Sequence, residues 1–161
     1  ARRQRQMCIR DRAEFESDKD NRKALVEPTG SGQRPGKFNA PATNNETSAD
    51  FPVMRCAEVM LMYAEAANEL AAVPTQDALD ALNAVRTNAG LEGKTLAELS
   101  TKTLFRQAVY KERRLELALE CDRWFDIVRT GQMAAIFPGI DAYRQLYPVP
   151  QTEIELSLIH I

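Results

Sequence analysis

The sequence predicts a mainly α fold in which a helical hairpin is followed by a long charged helix, with irregular loop segments at both ends. From residue 51 onward, apolar residues recur at the spacing of helix faces. Prolines and glycines stand between those stretches, where they end helices. Residues 13–50, in contrast, are polar and rich in glycine, proline, asparagine and serine, which predicts a loop region.

The two ends of the chain are related through the genetic code. One DNA spelling of residues 7–12 has a reverse complement that encodes residues 156–160. Inverted copies of this kind resemble the translated adaptor of transposase-based sequencing libraries. We therefore expect residues 1–12 and 156–161 to be adaptor-like artefact tails outside the fold. The second tail contains the only histidine, His160.

The composition without these tails excludes several classes of site. Removing the five arginines and one aspartate of the first tail from 21 basic and 23 acidic residues leaves 16 and 22, a net charge of −6. An acidic chain without a basic run indicates no nucleic-acid partner. Cys56 and Cys121 remain, without metal-ligand spacing and without a histidine, so we expect no metal and no other cofactor. No apolar stretch reaches the roughly 18 residues that a membrane span needs.

Residues 51–155 are expected to form the helical region, which opens with FPVMRCAEVMLMYAEAANELAAVP. Asp50 is the predicted N-cap, Pro52 suits the first turn and Pro74 ends the helix. One face carries Met54, Ala57, Leu61, Ala64 and Asn68, and a second face carries Val59, Met62, Ala66 and Leu70. A helix that is apolar over so much of its circumference is expected to lie between neighbours and not at the surface.

The next stretch, TQDALDALNAVRTNAGL, predicts a second helix that starts after Thr75 and ends before Gly90. Ala78, Leu82 and Val85 form its predicted buried stripe. Two helices joined by a short turn make a hairpin of about 35 to 40 residues, the size of one tetratricopeptide-like repeat. One such unit cannot bury its own faces, so we expect neighbouring repeats upstream and aggregation of the chain on its own.

The charged stretch predicts a short helix from about Thr95 and a long helix from about Thr101 to Arg129, closed by Gly131. One face of the long helix carries Ala108, Glu112, Leu115 and Leu119, and the opposite face Tyr110, Leu117, Cys121, Trp124 and Val128. Glu112 is therefore expected in or near a core. An ionised carboxylate there needs a partner, because an unpaired buried charge is costly.

Seven charged side chains are candidates for clamps that join carboxylates and arginines of different helices. They are Arg55, Arg86, Glu112, Arg113, Glu116, Glu120 and Arg123. Along one helix, Arg113 is spaced to reach Glu116, and Glu120 to reach Arg123. Arg55 and Arg86 are isolated cations among apolar residues. A guanidinium group can donate two hydrogen bonds to one carboxylate, so both arginines are candidates to bind carboxylates of another helix.

Paired carboxylates also leave a catalytic alternative open. Glu112 with Glu116, or Asp122 with Asp126, could serve as acid and base in glycoside hydrolysis. An acid catalyst needs a raised carboxyl pKa, however, and neighbouring arginines lower it. We therefore predict no catalytic, cofactor-binding or metal-binding residue. Trp124 could stack on a sugar, but its place in an apolar stripe predicts a core position.

Four motifs resemble, in this order, the C-terminal part of the SusD/RagB family: RCAEVMLMYAEAANEL (55–70), LNAVRTNAGL (82–91), ERRLELALECDRWFDIVRTG (112–131) and LYPVPQTEIE (146–155). The resemblance spans roughly residues 37–155. It implies a C-terminal fragment of a mostly helical protein with tetratricopeptide-like repeats, which is not an enzyme. Cys121 stands where the family commonly has glycine, so the bend expected there is weaker or the helix is continuous.

The resemblance also implies a location and partners. Members of this family are surface-exposed lipoproteins of the outer membrane of Bacteroidetes-type bacteria. They capture glycans or other oligomeric nutrients for a SusC-type TonB-dependent porin. Membrane association would occur only through a lipid anchor missing from this fragment, and no ligand-binding residue is carried over. The alternative is an intracellular helical-repeat adaptor for protein partners, which would need a basic groove and capping helices.

Overall fold

The computed structural model describes residues 53–139 without a gap and, outside them, residues 15, 19–26, 28–29, 34–35, 37, 141, 143, 146 and 152. Its elements are α1 Arg22–Val26, β1 Pro28–Thr29, β2 Arg34–Pro35, α2 Cys56–Leu70, α3 Gln76–Asn88, α4 Lys102–Glu116, α5 Arg123–Arg129 and α6 Met133–Ile136. Helices dominate, so the mainly α prediction is confirmed. None of the helices described is long and apolar enough to cross a membrane. The chain divides into two compact units, Ala1–Asp122 and Arg123–Ile161.

Helix α3 has the ends that the sequence predicts. The Thr75 hydroxyl accepts a hydrogen bond from the backbone N–H of Ala78 at 3.4 Å, which caps the first turn. Past the other end, Gly90 has a φ of +83°. An added Cβ at Gly90 would lie 2.8 Å from the Lys19 carbonyl oxygen, so both backbone conformation and close approach require glycine there.

Helix α2 begins later than predicted. Asp50 and Pro52 lie outside the described residues, and the N-cap position belongs to Arg55, which is extended and makes no side-chain cap bond. The predicted helix start is therefore wrong. Side-chain bonds from Arg55 go to carboxylates of a different part of the chain, which is a tertiary contact that local capping signals do not show.

The main core lies where α2 packs against α3 and α4. Its completely buried side chains include Leu61 and Ala64 of α2, Leu82 of α3, and Phe105 and Val109 of α4. Burial of a leucine or phenylalanine stabilises the fold by about 1.5–3 kcal/mol. The predicted hairpin of α2 and α3 is present, while its likeness to a tetratricopeptide repeat stays a prediction.

The second apolar face of α2 is exposed in the described part of the chain. Leu70 is 90% exposed, and Val59 and Met62 are also exposed. The expectation that this helix lies between neighbours on both sides is therefore met on one side only. The buried side carries Leu61, Ala64 and Asn68.

The long charged helix predicted from Thr101 to Arg129 is interrupted. Helix α4 starts after Thr101, close to the predicted position, and the Thr101 side chain caps it. Residues 117–122, however, form turns and bends between α4 and α5. Leu119 and Cys121 both have a φ of 71°, in the left-handed region. The two faces predicted for the long helix therefore do not continue past residue 117.

The chain bends at Cys121 even though glycine is absent there. The Glu116 carbonyl accepts from the Lys37 ammonium and the Arg55 guanidinium. These side-chain donors replace the backbone N–H that a further helical turn would have supplied. The predicted short helix near Thr95 is also wrong. Residues 96–99 form a turn in which the Thr95 N–H and hydroxyl donate to the Glu98 carboxylate.

The polar region predicted as loop contains local structure in its described part. Residues 22–26 form α1, and β1 pairs antiparallel with β2, with Pro28 opposite Pro35. The N–H of Asn21 donates to the Ala89 carbonyl at 3.0 Å, which joins this segment to the end of α3. The segment therefore belongs to the fold, although few of its side chains are apolar.

The second unit contains α5 and α6. Ile127 and Met133 are buried, and Gly131 between the two helices has a φ of +69°. Gly131 thus closes the helix, as predicted. Trp124 is half-buried and not in the core, whereas Phe125 is exposed. Pro148 and Pro150, which predict an extended path, lie outside the described residues.

Candidate functional site

Eight charged side chains meet around the C-terminal half of α4, and we call this set the charge cluster. It comprises Asp20, Arg22, Lys37, Arg55, Arg86, Glu112, Glu116 and Glu120. Among the described residues, four carboxylates face four cations, so the formal charges of this set cancel. Three of the carboxylates lie at intervals of four residues in the α4 sequence and the turn that follows it, and the cations come from other segments.

Glu112 occupies the deepest position of the charge cluster, with a side chain only 1% exposed. One carboxylate oxygen accepts from Arg22 at 2.6 Å, and the other accepts from Arg86 at 2.9 Å. Arg22 belongs to α1 and Arg86 to α3, so this one carboxylate joins three helices. The expected core position of Glu112 is confirmed, and both of its oxygens are hydrogen-bonded.

Glu116 and Glu120 share the guanidinium of Arg55. Its Nη2 lies 3.0 Å from the Glu116 carboxylate and 2.7 Å from that of Glu120, and its Nε donates to Glu120 at 3.0 Å. Arg22 also donates to Glu116 at 3.2 Å. Arg55 precedes α2, so its guanidinium holds the start of that helix against the end of α4.

Lys37 completes the cluster at the C-terminal end of α4. Its ammonium forms an ion pair with Glu120 and donates to the carbonyls of Glu116 at 2.7 Å and Ala118 at 3.0 Å. The last carbonyls of a helix have no partner in the next turn and carry partial negative charge. A cation is therefore well placed here.

Asp20 holds Arg22 in position. Its two oxygens accept from the guanidinium at 2.9 and 2.7 Å, and one oxygen also accepts from the Arg22 backbone N–H at 3.0 Å. Planar two-point pairing of this kind fixes the direction of the guanidinium. Arg22 thereby keeps one nitrogen for Glu112 and Glu116.

The charges shift one another's pKa values. Burial alone would raise the pKa of Glu120, but hydrogen bonds from Arg55 and Lys37 outweigh burial and lower it. Burial opposes the charged form of Arg22, yet hydrogen bonds to Asp20 and Glu112 raise the pKa of its guanidinium. Burial lowers the pKa of Lys37, and Glu120 offsets part of this effect. The hydrogen bonds from Arg55 and Lys37 thus favour the ionised form of Glu120. An ionised carboxylate suits an ion pair more than proton donation.

The seven clamp candidates do not all lie in the charge cluster. Arg55, Arg86, Glu112, Glu116 and Glu120 meet in the charge cluster. Arg113 lies 3.7 Å from Glu58 of α2, so it also joins two helices. Arg123 belongs to the second unit, and the pairing expected between Glu120 and Arg123 rested on a continuous helix that the structure does not have.

The alternative acid and base pairs are already engaged. The carboxylates of Glu112 and Glu116 both accept from Arg22. Asp126 accepts from Arg129 at 2.9 Å, one turn along α5. These contacts occupy carboxylate oxygens that an acid or a base would have to present to a substrate.

Sequence reasoning missed Asp20, Arg22 and Lys37. They lie in the polar stretch before α2, where no helical period identifies a buried position. One signal was available. Glu112, Glu116 and Glu120 recur every four residues beside apolar positions, and only two of the four candidate arginines, Arg55 and Arg86, lie on other segments of the chain. More cations were therefore to be expected from elsewhere in the chain.

The chain matches a known protein family over most of its length. The model of the SusD family matches residues 3–144. The chain belongs to the SusD family. One relative is the SusD-like protein P2 of Formosa agariphila, 34% identical over an alignment of 129 residues that covers 70% of this chain and 25% of that protein. Another is the SusD-like protein P25 of the same organism, 32% identical over an alignment of 134 residues that covers 74% of this chain and 24% of that protein.

The chain spans about a quarter of the length of these curated relatives. No solved structure matches it. The family match begins earlier than the expected range of 37–155 and includes most of the tail at residues 1–12, whose adaptor origin stays a prediction. It also includes the segment with Asp20, Arg22 and Lys37, in agreement with the place of that segment in the fold.

Proposed function

We propose that this chain is part of a protein that captures glycans or other oligomeric nutrients at the bacterial cell surface without chemical turnover. Membership of the SusD family is the observation that carries the proposal. Two relatives that are named SusD-like proteins support it. In this proposal the protein is held at the outer membrane, and a SusC-type TonB-dependent porin takes the nutrient inward.

The charge cluster supports a scaffold role for this part of the protein. Its ion pairs join α1, the start of α2, α3 and the end of α4. Each of its four carboxylates has at least one cation within 3.2 Å. A set of charges that neutralise one another inside the fold offers little to a ligand from solution. We therefore assign the nutrient to a surface outside the charge cluster.

Binding by the full-length protein tests the proposal. We expect the protein encoded at the source locus, read beyond both ends of this chain, to co-purify with a TonB-dependent porin from outer membranes. Surface protease should digest it on intact cells, and calorimetry against a panel of oligosaccharides should detect binding without products. A protein that stays inside the cell and binds peptides would contradict the proposal and favour the helical-repeat adaptor.

The hydrolase alternative has its own test. We expect no release of reducing sugar by the full-length protein from any oligosaccharide that it binds. If sugar is released, and Glu112→Gln abolishes the release while circular dichroism and thermal unfolding stay unchanged, Glu112 is catalytic and the proposal is wrong. A matched variant is Glu92→Gln, because Glu92 is exposed and lies outside the charge cluster.

A further inference from the structure

The turn that ends α4, residues 117–122, opposes the preference of its own sequence. Leu119 and Cys121 carry side chains, yet both have a φ of 71°, in the left-handed region that favours glycine. The stretch reads LALECD and contains neither glycine nor proline, and leucine, alanine and glutamate are good helix formers. Local preference therefore favours a helix here, and the turn needs stabilisation from elsewhere in the fold.

The charge cluster and a longer α4 compete for the same carbonyl oxygens. In an α-helix each carbonyl accepts from the N–H four residues later, so extension of α4 would need the carbonyls of Glu116 and Ala118 as acceptors. In the structure the Lys37 ammonium donates to both, at 2.7 and 3.0 Å, and Arg55 donates to the Glu116 carbonyl at 3.1 Å. A carbonyl oxygen has two lone pairs, so the Glu116 oxygen is fully occupied. The side-chain donors and the helical N–H groups therefore exclude one another.

Extension of α4 would give up charge pairs more than apolar contacts. Leu119 packs beside Leu115 in the turn, and residues four apart share one face of a helix, so Leu119 would stay beside Leu115. Cys121 is exposed. Glu120, by contrast, pairs with the same two cations that occupy the carbonyls. The turn therefore depends on those two cations and not on the packing of its own side chains.

Lys37 is supplied by the polar segment before α2, which is itself attached by charge. In residues 19–25 of that segment the buried side chains are those of Asp20 and Arg22, and neither is apolar. We propose that residues 117–122 are a two-state element, which forms a turn while Lys37 donates to its carbonyls and extends α4 when the segment that carries Lys37 detaches. The end of α4 would thus respond to the attachment of a segment far away in sequence. The proposal does not depend on nutrient binding.

Removal of the Lys37 ammonium tests the proposal in the full-length protein encoded at the source locus. Lys37→Met keeps an unbranched side chain and removes its donors. We expect amide hydrogen exchange at residues 119–122 to become about tenfold slower, because these amides enter helical hydrogen bonds. Mass spectrometry with electron-transfer fragmentation resolves these residues. A lysine that only stabilises the turn would give the opposite sign, since its removal would loosen the turn and speed exchange.

A second substitution should reverse the effect of the first. Cys121→Gly favours the left-handed φ of the turn and disfavours a helix. Added to Lys37→Met, it should return exchange at residues 119–122 to the original rate. Lys37→Arg is the matched control, because it keeps a cationic donor at the same position, and it should leave exchange unchanged.

Three results would overturn the proposal. The first is unchanged or faster exchange at residues 119–122 in Lys37→Met while the amides of α2 and α3 stay protected. The second is slower exchange that Cys121→Gly does not reverse. If Lys37→Met prevents folding, the milder Lys37→Gln serves in its place with the same sign of change expected. Loss of protection throughout α2 and α3 in both variants is the third result, because it would show that Lys37 holds the whole fold and not the turn alone.

Discussion

The apolar core and the charge cluster lie in the same compact unit but depend on different kinds of contact. In the core, Leu61 and Leu82 come from two helices, and each lies on a face that its own helical period predicts. In the charge cluster, Glu112 is equally buried but bonds to Arg22, 90 residues away in sequence. Periodicity identifies which side chains are buried. It does not identify which distant charge neutralises a buried carboxylate.

The two regions should also respond differently to mutation. An apolar side chain interacts with many neighbours through weak contacts, so its removal leaves a cavity whose cost depends on size. A buried carboxylate interacts with two or three named cations. Its removal takes one partner from each of those cations, and the cost depends on how many cations are affected.

The largest expected effect is in the core. We expect Leu82→Ala to lower the free energy of unfolding of the 161-residue chain by about 2–5 kcal/mol, because Leu82 is completely buried. Urea unfolding followed by circular dichroism measures the change. Leu70→Ala is the matched control at a 90% exposed site and should change stability by less than about 0.5 kcal/mol. Equal effects of the two variants would show that the core is not where the structure puts it.

The charge cluster comes next. Glu112→Gln keeps the size of the side chain but removes the charge that faces Arg22 and Arg86. We expect a loss of about 3 kcal/mol in the free energy of unfolding, since two buried guanidinium groups lose a shared carboxylate. Glu92→Gln, at an exposed site, should have almost no effect. A Glu112→Gln protein as stable as the original would contradict the clamp role.

Acid should weaken the charge cluster before it weakens the core. The folded-state pKa of Glu120 is lowered, so its contribution to stability is fully present above the unfolded glutamate pKa of about 4.3. That contribution is lost as pH falls from there through the folded-state pKa. We therefore expect stability to fall with pH below about 4, and expect Glu120→Gln to make that fall shallower. Thermal unfolding from pH 7 to 3 measures both slopes, and parallel slopes would count against this assignment.

Helix identity and the apolar core could be predicted because both depend on local patterns. Thr75, Gly90 and Thr101 mark helix ends through short-range bonds that the sequence shows directly. The end of α4 could not be predicted in this manner. It depends on Lys37 and Arg55, which reach the Glu116 carbonyl from 79 and 61 residues away.

The candidate site likewise contains residues that the local sequence pattern predicts and residues that it does not. Five of the seven clamp candidates lie in the charge cluster, because charged residues at apolar positions of a helix are visible in the sequence. Asp20, Arg22 and Lys37 were missed, because the stretch that carries them has the composition of a loop. Its attachment to the fold comes from charge pairs and from the backbone bond between Asn21 and Ala89.

The smallest expected effect concerns the turn at residues 117–122, which follows α4. Cys121 has a φ of 71°, which costs a residue with a Cβ about 1 kcal/mol relative to glycine. Glycine also gains freedom in the unfolded chain, which offsets part of that gain. We therefore expect Cys121→Gly to raise the free energy of unfolding by a few tenths of a kcal/mol to about 1 kcal/mol.

Comparison with Leu119 separates backbone strain from packing at the same bend. Leu119 has the same φ but packs beside the buried pair Phe15 and Leu115. Leu119→Gly should relieve the same strain yet lose apolar contact, so we expect it to destabilise the chain while Cys121→Gly stabilises it. Urea unfolding of the two variants side by side measures the difference. Changes of the same sign would mean that the backbone conformation at residue 121 is not what limits stability there.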